Sequence, residues 1–138
     1  MCKRGDIILV NHYVDNGKEL SHHSFVVLED KGGVVHGFDF DFVAVVMSSF
    51  HDEEHKKQKL SYPGNFPVGP DDESIDQENP NKLEGYIKSE QFYFFDKNKI
   101  EFSVIGALNP ETMDLLIRFI EELSKHNVKI KVIIDNLL

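Results

Sequence analysis

The chain has 138 residues, of which 41% are apolar and 11 are Phe, so its size suits one domain with a substantial core. Its single cysteine, Cys2, excludes an intramolecular disulfide and a multi-cysteine metal site. No apolar run approaches the roughly 20 residues of a membrane span, and the first residues lack the apolar core of a signal peptide. We therefore expect a cytoplasmic protein that does not contact a membrane.

Two short apolar runs near the start of the chain are typical of strands. They are residues 7–10 and residues 25–28, and the polar loop between them contains the turn dipeptide Asn16-Gly17. The loop leads to His22 and His23 at the start of the second run. Loops anchored on buried strands often carry binding or catalytic groups. Because adjacent strand residues face opposite ways, we expect one of the two histidines to face a site.

The next segment changes its pattern along its length. Residues 38–42 alternate Phe with Asp, as in a half-buried strand, whereas residues 43–47 are apolar throughout, as in a central strand. The change from one pattern to the other predicts a bend or bulge. Ser48 and Ser49 end the strand.

Residues 50–82 are polar and interrupted by proline and glycine, which predicts a long loop with a short extended piece at residues 59–62 and no long element. His51 and His55 are four residues apart, a spacing that metal ligands on a helix share. The motif differs from H-E-x-x-H and its surroundings resemble a loop. We therefore expect no metal site.

The net charge of −9 disfavours RNA binding over the whole surface, since neutralisation of phosphates supplies most of the sequence-independent affinity. The charge is unevenly distributed, however. Residues 55–59 include Lys56 and Lys57, whereas residues 71–78 contain five carboxylates. A basic patch can exist on such an acidic protein, although two solvated loops are the simpler interpretation.

Regular structure is predicted to resume after this loop. Residues 83–95 contain two strand-like pieces, residues 96–99 form a turn, and residues 100–104 can add a short strand. Asn109 as N-cap, followed by Pro110, predicts a helix that ends near Lys125. Its buried face comprises Met113, Leu116, Ile117, Ile120 and Leu123. Residues 127–138 predict an added strand and an oligomer contact, with a second helix as the alternative.

Four segments, in order, resemble the PemK/MazF-like toxins of bacterial toxin–antitoxin systems. They are Arg4-Gly5-Asp6 with its apolar run and the second run after the loop, residues 45–49, residues 90–97, and residues 105–108 with the following helix. The resemblance implies a mainly β fold of the α+β kind, a small SH3-like β-barrel with a C-terminal helix. It also implies a homodimer. We expect a single domain over residues 1–138, in which residues 127–138 extend beyond the usual family end.

The resemblance also implies which residues act. In this family, an Arg that enters the second strand and a Thr or Ser that ends the third cut single-stranded RNA without a metal. His23 stands at the Arg position, Ser24 at the position of a following Pro, and Ser48 at the Thr position. Histidine lacks the guanidinium fork, but imidazole is well matched to proton transfer near pH 7. His23 and Ser48 are therefore the catalytic candidates.

Further substrate-binding candidates are His22, Ser49, Gln91, Tyr93, Lys18, Lys56 and Lys57. Gln91 matches a family glutamine, for which a structural hydrogen bond is the favoured role. Tyr93 stands where an Arg is common and could either stack on a base or belong to the core. The histidine and serine pairs have a simpler interpretation as polar residues at strand ends.

Two functional hypotheses follow. The first is a toxin-type endoribonuclease that cleaves single-stranded RNA without metal or cofactor and is neutralised by an antitoxin protein. The second is a catalytically degenerate binding module for a peptide or protein, with residues 71–78 lying over the site as a phosphate mimic. Absence of arginine at positions 23 and 93 favours the second hypothesis, whereas Ser48, Gln91 and a histidine favour the first.

Overall fold

The computed structural model describes residues 2–75 and 84–138. These residues form a mostly β structure in which a nine-stranded sheet curls into a half-barrel and two α-helices accompany it. The predicted mainly β fold with a C-terminal helix is confirmed. The end of the predicted long loop, residues 76–82, and Leu83 lie outside the described residues.

The bounds of the elements are as follows. The strands are Asp6–Val10 (β1), Tyr13–Asp15 (β2), Lys18–Leu20 (β3), His23–Glu29 (β4), Gly33–Val35 (β5), Phe38–Phe40 (β6), Phe42–Ser49 (β7), Asn65–Val68 (β8), Glu73–Ile75 (β9), Gly85–Lys88 (β10), Gln91–Phe95 (β11), Phe102–Leu108 (β12) and Lys131–Ile133 (β13). The helices are Glu53–Leu60 (α1) and Pro110–Lys125 (α2), with 3₁₀ turns at Pro70–Asp72 and Asp135–Leu137. The main sheet has the order β13-β11-β7-β4-β1-β12-β9, and β10 pairs with both β7 and β8.

The central strands are apolar throughout because both of their faces are buried. On one face Phe25 of β4 packs against the rings of Tyr13, Tyr93 and Phe95. On the other face the neighbouring Val26 belongs to a second cluster that α2 completes. This two-sided burial explains why the runs at residues 25–28 and 43–47 do not alternate. The predicted bend lies at Asp41, between β6 and β7.

The loop between the first two predicted strands is itself a hairpin, β2–β3. Asn16 and Gly17 form its turn with φ angles of 53° and 75°. Positive φ at both central residues is what a type I′ turn requires. The hairpin buries Tyr13, which is 4% exposed, so the loop contributes to the core.

The predicted C-terminal helix is confirmed as α2. Asn109 has an extended N-cap conformation and Pro110 occupies the first helical position. Met113, Leu116 and Leu123 are buried, and Ile117 and Ile120 pack partly buried against the core, as their spacing predicts. One detail differs, because the Asn109 amide donates to the Asp71 carbonyl at 2.6 Å and makes no side-chain cap bond.

Two element predictions are corrected. Helix α1 occupies part of the segment predicted as a loop with an extended piece at residues 59–62. The Asp52 carboxylate caps α1 by accepting from the His55 backbone N–H at 2.7 Å, with acidic residues in its first turn and basic residues in its last. No residue of α1 is buried, so the helix lacks the apolar periodicity that sequence analysis depends on. Strand β12 extends to Leu108, beyond the predicted strand at residues 100–104.

The tail forms the predicted added strand over part of its length, as β13 pairs in parallel with β11. Beyond β13, the tail holds the β2–β3 hairpin. The Asn136 side chain accepts from the Val14 backbone N–H at 2.7 Å and donates to the Val14 carbonyl at 3.0 Å. The Asp135 carboxylate accepts from the Gly17 N–H at 2.8 Å. The tail therefore fixes the hairpin that carries Tyr13.

We expect Asn136→Ala to lower the free energy of unfolding by about 1–3 kcal/mol, because two part-buried backbone groups of Val14 lose their partner. Urea unfolding measures the change, and Asn98→Ala in an exposed turn serves as the matched control. Equal stability of the two variants would show that the tail does not hold the hairpin.

Candidate active-site cleft

A cleft of about 540 Å³ lies where the start of β4, the end of β7 and helix α1 meet. Its described lining consists of Leu9, His22, His23, Ser24, Met47, Ser48, Ser49, His51, His55, Lys59, Val68, Gly85 and Tyr86. Both predicted catalytic residues and two of the predicted binding residues, His22 and Ser49, are among them. The fold thus brings together two polar segments that are more than 20 residues apart in the chain.

The register of the sheet explains why His23 and Ser48 line the same cleft. In the antiparallel ladder of β4 and β7, Phe25 pairs with Val46. Continuing that register by two residues places His23 opposite Ser48, and directly opposed residues project from the same face. On the other side of β7, Ser48 pairs with Tyr86 of β10. A row of three polar or aromatic side chains therefore crosses three neighbouring strands.

His23 is accessible from the cleft and contacts Tyr13 on its other side. Its Nδ1 lies 3.3 Å from the Tyr13 hydroxyl, and the two rings meet edge to face at 5.8 Å. Desolvation lowers the pKa of His23 below its ordinary value, and the Lys88 charge acts in the same direction, against an opposing backbone hydrogen bond with Ser21. The imidazole is consequently neutral near pH 7, the state in which it can accept a proton.

Tyr13 remains a protonated phenol beside this imidazole. Burial raises the pKa of Tyr13, and the Asp15 carboxylate adds to the increase. The phenol oxygen can accept from His23 Nδ1–H or donate to an unprotonated Nδ1. Tyr13 therefore orients the His23 ring without carrying charge.

Both histidines of the pair line the cleft, whereas one was expected. The expectation relied on the alternation of side chains within a strand. His23 is the first residue of β4 and His22 precedes the strand, so the alternation does not extend to His22.

Helix α1 and the residue before its N-cap contribute three cleft residues that sequence analysis did not assign to the site. They are His55 and Lys59 of α1, and His51. The His51 backbone N–H donates to His55 Nδ1 at 3.1 Å, and the two rings are 4.4 Å apart. Desolvation lowers the pKa of His55, and His51 adds to the decrease. The sequence signal for these residues is their spacing of four, at positions 51, 55 and 59. This spacing indicates a shared face only once the segment is recognised as a helix.

Tyr93 is corrected to a core residue. It is 2% exposed, and its hydroxyl donates to the Asp15 carboxylate at 3.2 Å. Burial raises the pKa of Tyr93 strongly. Stacking of a base on this ring would require the core to open, so its buried position supports the alternative that sequence analysis left open.

The other predicted binding residues lie outside the cleft lining. Gln91 borders a separate cavity of about 330 Å³ that also contacts Lys59. Lys18 is exposed in the β2–β3 hairpin and Lys57 is exposed on α1. The Lys56 ammonium pairs with the Glu84 carboxylate at 2.7 Å. Among the described lining residues, the lysine is Lys59, from the same basic run.

The described lining of the cleft contains no Asp or Glu, although the net charge of the chain is −9. The first part of the acidic segment, residues 71–75, contacts β12 and α2 and does not line the cleft. Asp72 accepts from the Gly69 N–H and from the Thr112 hydroxyl, and β9 pairs with β12. The remainder of the expected phosphate mimic, residues 76–78, lies outside the described residues.

The described residues contain neither a candidate metal site nor a helix that could span a membrane. Within residues 2–75 and 84–138, no group of three or more His, Cys, Asp or Glu side chains is arranged to hold a metal ion. Neither helix in that part of the chain is long and apolar enough to cross a membrane.

Comparison with known proteins places the chain in a family. The family model of the PemK-like, MazF-like toxins of type II toxin–antitoxin systems matches residues 3–124, which include both strand ends of the cleft and most of α2. No curated protein matches the chain. Because the match spans most of the 138 residues, the chain belongs to the PemK-like, MazF-like toxins of type II toxin–antitoxin systems.

Proposed function

We propose that this toxin is a metal-independent endoribonuclease that cleaves single-stranded RNA in the cleft. The observation that carries the proposal is the presence of His23 and Ser48 in one cleft, whose described lining holds cationic and neutral groups but no carboxylate. Carboxylates in the lining would repel the phosphates of RNA. Their absence from the described lining of so acidic a protein therefore favours RNA as the substrate.

The proposed reaction is an attack of a ribose 2′-oxygen on the adjacent phosphorus. With its proton on Nδ1, the His23 ring can donate to the Tyr13 oxygen, and the Nε2 lone pair can then take the 2′-hydroxyl proton. The new P–O bond closes a 2′,3′-cyclic phosphate as the bond to the 5′-oxygen breaks. The leaving 5′-oxygen then takes a proton from solvent and becomes a hydroxyl.

Ser48 has a different task in this reaction. Its hydroxyl is a neutral donor to the non-bridging oxygens of the phosphate, where negative charge accumulates as the 2′-oxygen attacks. A fixed donor stabilises the transition state without moving during the reaction. The paired strands β7 and β10 hold Ser48 in place.

Single-stranded RNA is the substrate that this chemistry requires. The attacking 2′-oxygen, the phosphorus and the leaving oxygen must come into line, which an A-form duplex prevents. Unstacked nucleotides of a single strand can adopt that geometry and enter a concave site. The cleft of about 540 Å³ has room for such a nucleotide.

Family membership implies an antitoxin partner. We propose that an acidic, partly disordered antitoxin segment occupies the cleft and competes with RNA for its positive groups. We further propose that the toxin acts in the cytoplasm as a homodimer, without a cofactor. Light scattering during size-exclusion chromatography measures the oligomeric state.

The decisive test is cleavage of a mixed-sequence single-stranded RNA by purified protein in EDTA. We expect the unmodified protein to cut at defined sites and to leave 2′,3′-cyclic phosphate and 5′-hydroxyl ends. Ser48→Ala is expected to slow cleavage by about 10²–10³-fold, because one donor to the developing charge is lost. Ser124→Ala on the exposed face of α2 is the matched control and should cut normally.

A second candidate function, a binding module without catalysis, is favoured by one observation: no arginine occurs in the described lining of the cleft. If the well-folded protein cuts nothing at high enzyme concentration and low salt, the nuclease proposal is wrong. If it also binds no RNA, the cleft would be assigned to a peptide or protein partner.

A further inference from the structure

The described lining of the cleft contains no arginine to bind the phosphate, and helix α1 brings two other groups to the same place. We propose that α1 provides a phosphate-binding site in which His55 Nε2–H and Lys59 Nζ bind the backbone of single-stranded RNA. The inference rests on the proposed RNA substrate but assigns residues that lie outside the segments equivalent to the family's catalytic pair. It would give the toxin a substitute for the missing guanidinium.

The position of His55 follows from the start of the helix. Asp52 caps α1, so the chain turns back and the His51 backbone N–H reaches the His55 ring at 3.1 Å. The ring also lies beside Phe50 and Tyr86, at 6.4 Å from each, and these two rings stack on each other at 5.2 Å. His55 is therefore held on one side by the backbone and on another by aromatic rings.

The hydrogen bond from His51 determines what His55 can offer to a ligand. A backbone N–H only donates, so His55 Nδ1 must be the acceptor and carries no proton. The proton of the neutral ring is then on Nε2. A neutral imidazole in this tautomer is a fixed donor, suited to a phosphate oxygen and unsuited to act as a base at Nε2.

Lys59 supplies the positive charge. It lies one helical turn after His55 on the same face, lines the cleft and is half-buried. Its ammonium lies 5.7 Å from the centre of the Tyr62 ring. In the part of the chain that the structure describes, no carboxylate pairs with it, whereas Lys56 is neutralised by Glu84. Lys59 is thus available to an anionic ligand.

The helix is anchored well enough to present both groups. The ion pair between Lys56 and Glu84 ties the middle of the helix to β10, because Glu84 is the residue just before that strand. Its last turn is tied to β8, because the Asn65 amide donates to the Lys59 carbonyl at 2.8 Å. These contacts fix the helix against the two strands that border the cleft.

The test measures binding of a fluorescent, fully 2′-O-methylated single-stranded oligonucleotide, which has phosphates but cannot be cleaved. We expect Lys59→Gln to weaken binding and to reduce the slope of log Kd against log salt by about 0.7, the value for one phosphate contact on a single strand. Lys57→Gln, on the same helix but exposed, should leave the slope unchanged. Equal slopes for the two variants would overturn the assignment of Lys59.

His55 is tested by a pair of substitutions. His55→Phe keeps a ring beside Phe50 and Tyr86 but removes the donor, and we expect it to weaken oligonucleotide binding several-fold. His55→Gln keeps an N–H donor at a similar reach and should bind within about twofold of the unmodified protein. Equal affinities of the two variants would overturn the assignment of His55.

The binding assay separates this inference from the proposed function. Binding that depends on Lys59 and His55, without any cleavage of ordinary RNA, would support the α1 site and refute the nuclease. Cleavage of RNA together with normal binding by all α1 variants would support the nuclease and refute the α1 site. Failure of the unmodified protein to bind at low salt would refute both.

Discussion

His23→Ala is expected to slow RNA cleavage by about 10²–10⁴-fold, the usual contribution of a general base. The substitution removes the imidazole that lines the cleft together with Ser48 and leaves the strand pairing of β4 intact, because the ladder depends on the backbone. Single-turnover cleavage of a labelled RNA measures the loss. His126→Ala, at an exposed histidine at the end of α2, is the matched control.

The pH dependence of cleavage should identify His23 as the base. A base works in its neutral form, so kcat/KM rises with pH and levels off above the pKa of the group. Because the pKa of His23 is lowered, the midpoint of this rise should lie below its ordinary value of 6.5. The rise should disappear in His23→Ala. A variant that keeps both the rate and the rise would show that another group takes the proton.

Phe25→Ala is expected to lower the free energy of unfolding by about 3–5 kcal/mol, the usual loss for a buried phenylalanine. The side chain is fully buried, and its ring meets Tyr13 and Tyr93 at 5.1 Å and Phe95 at 5.4 Å, each edge to face. Truncation leaves a cavity that these rigid rings fill poorly. The loss is a large part of the roughly 5–15 kcal/mol that stabilises a typical domain.

Urea unfolding followed by circular dichroism measures this loss. Val34→Ala in β5 is the control, because Val34 is 66% exposed and its truncation should cost less than about 0.5 kcal/mol. We also expect Phe25→Ala to reduce cleavage, since Tyr13 packs on Phe25 and orients His23. A loss of stability below about 1 kcal/mol would mean that the ring cluster is not closely packed.

The elements with strong local signals were predictable from the sequence. The central strands stand out because burial on both faces requires continuous apolar runs. Helix α2 combines an N-cap, a proline at its first position and an apolar face of steady spacing. The resemblance to the toxin family then linked these elements to the positions of His23 and Ser48.

The elements without an apolar signal were not predictable in the same way. Helix α1 is held by its Asp52 cap and by polar contacts, so no hydrophobic periodicity marks it. Sequence analysis alone therefore favours Lys56 and Lys57 of this run, whereas His55 and Lys59 are the residues that line the cleft. Tyr93 shows the opposite difficulty, because a tyrosine suits both a stacking surface and a core. Long-range packing against Phe25 and Asp15 decides its place.

The two hydrogen bonds between the Asn136 side chain and the Val14 backbone have a consequence for how the protein folds during synthesis. The two partners are 122 residues apart, so at about 5–20 residues per second the ribosome adds the second partner about 6–24 s after the first. During that interval the hairpin can form its own turn but cannot be held by the tail. Tyr13 then lacks its final support and His23 its fixed orientation. We therefore expect the hairpin, and with it the orientation of His23, to be fixed only once the tail has been made.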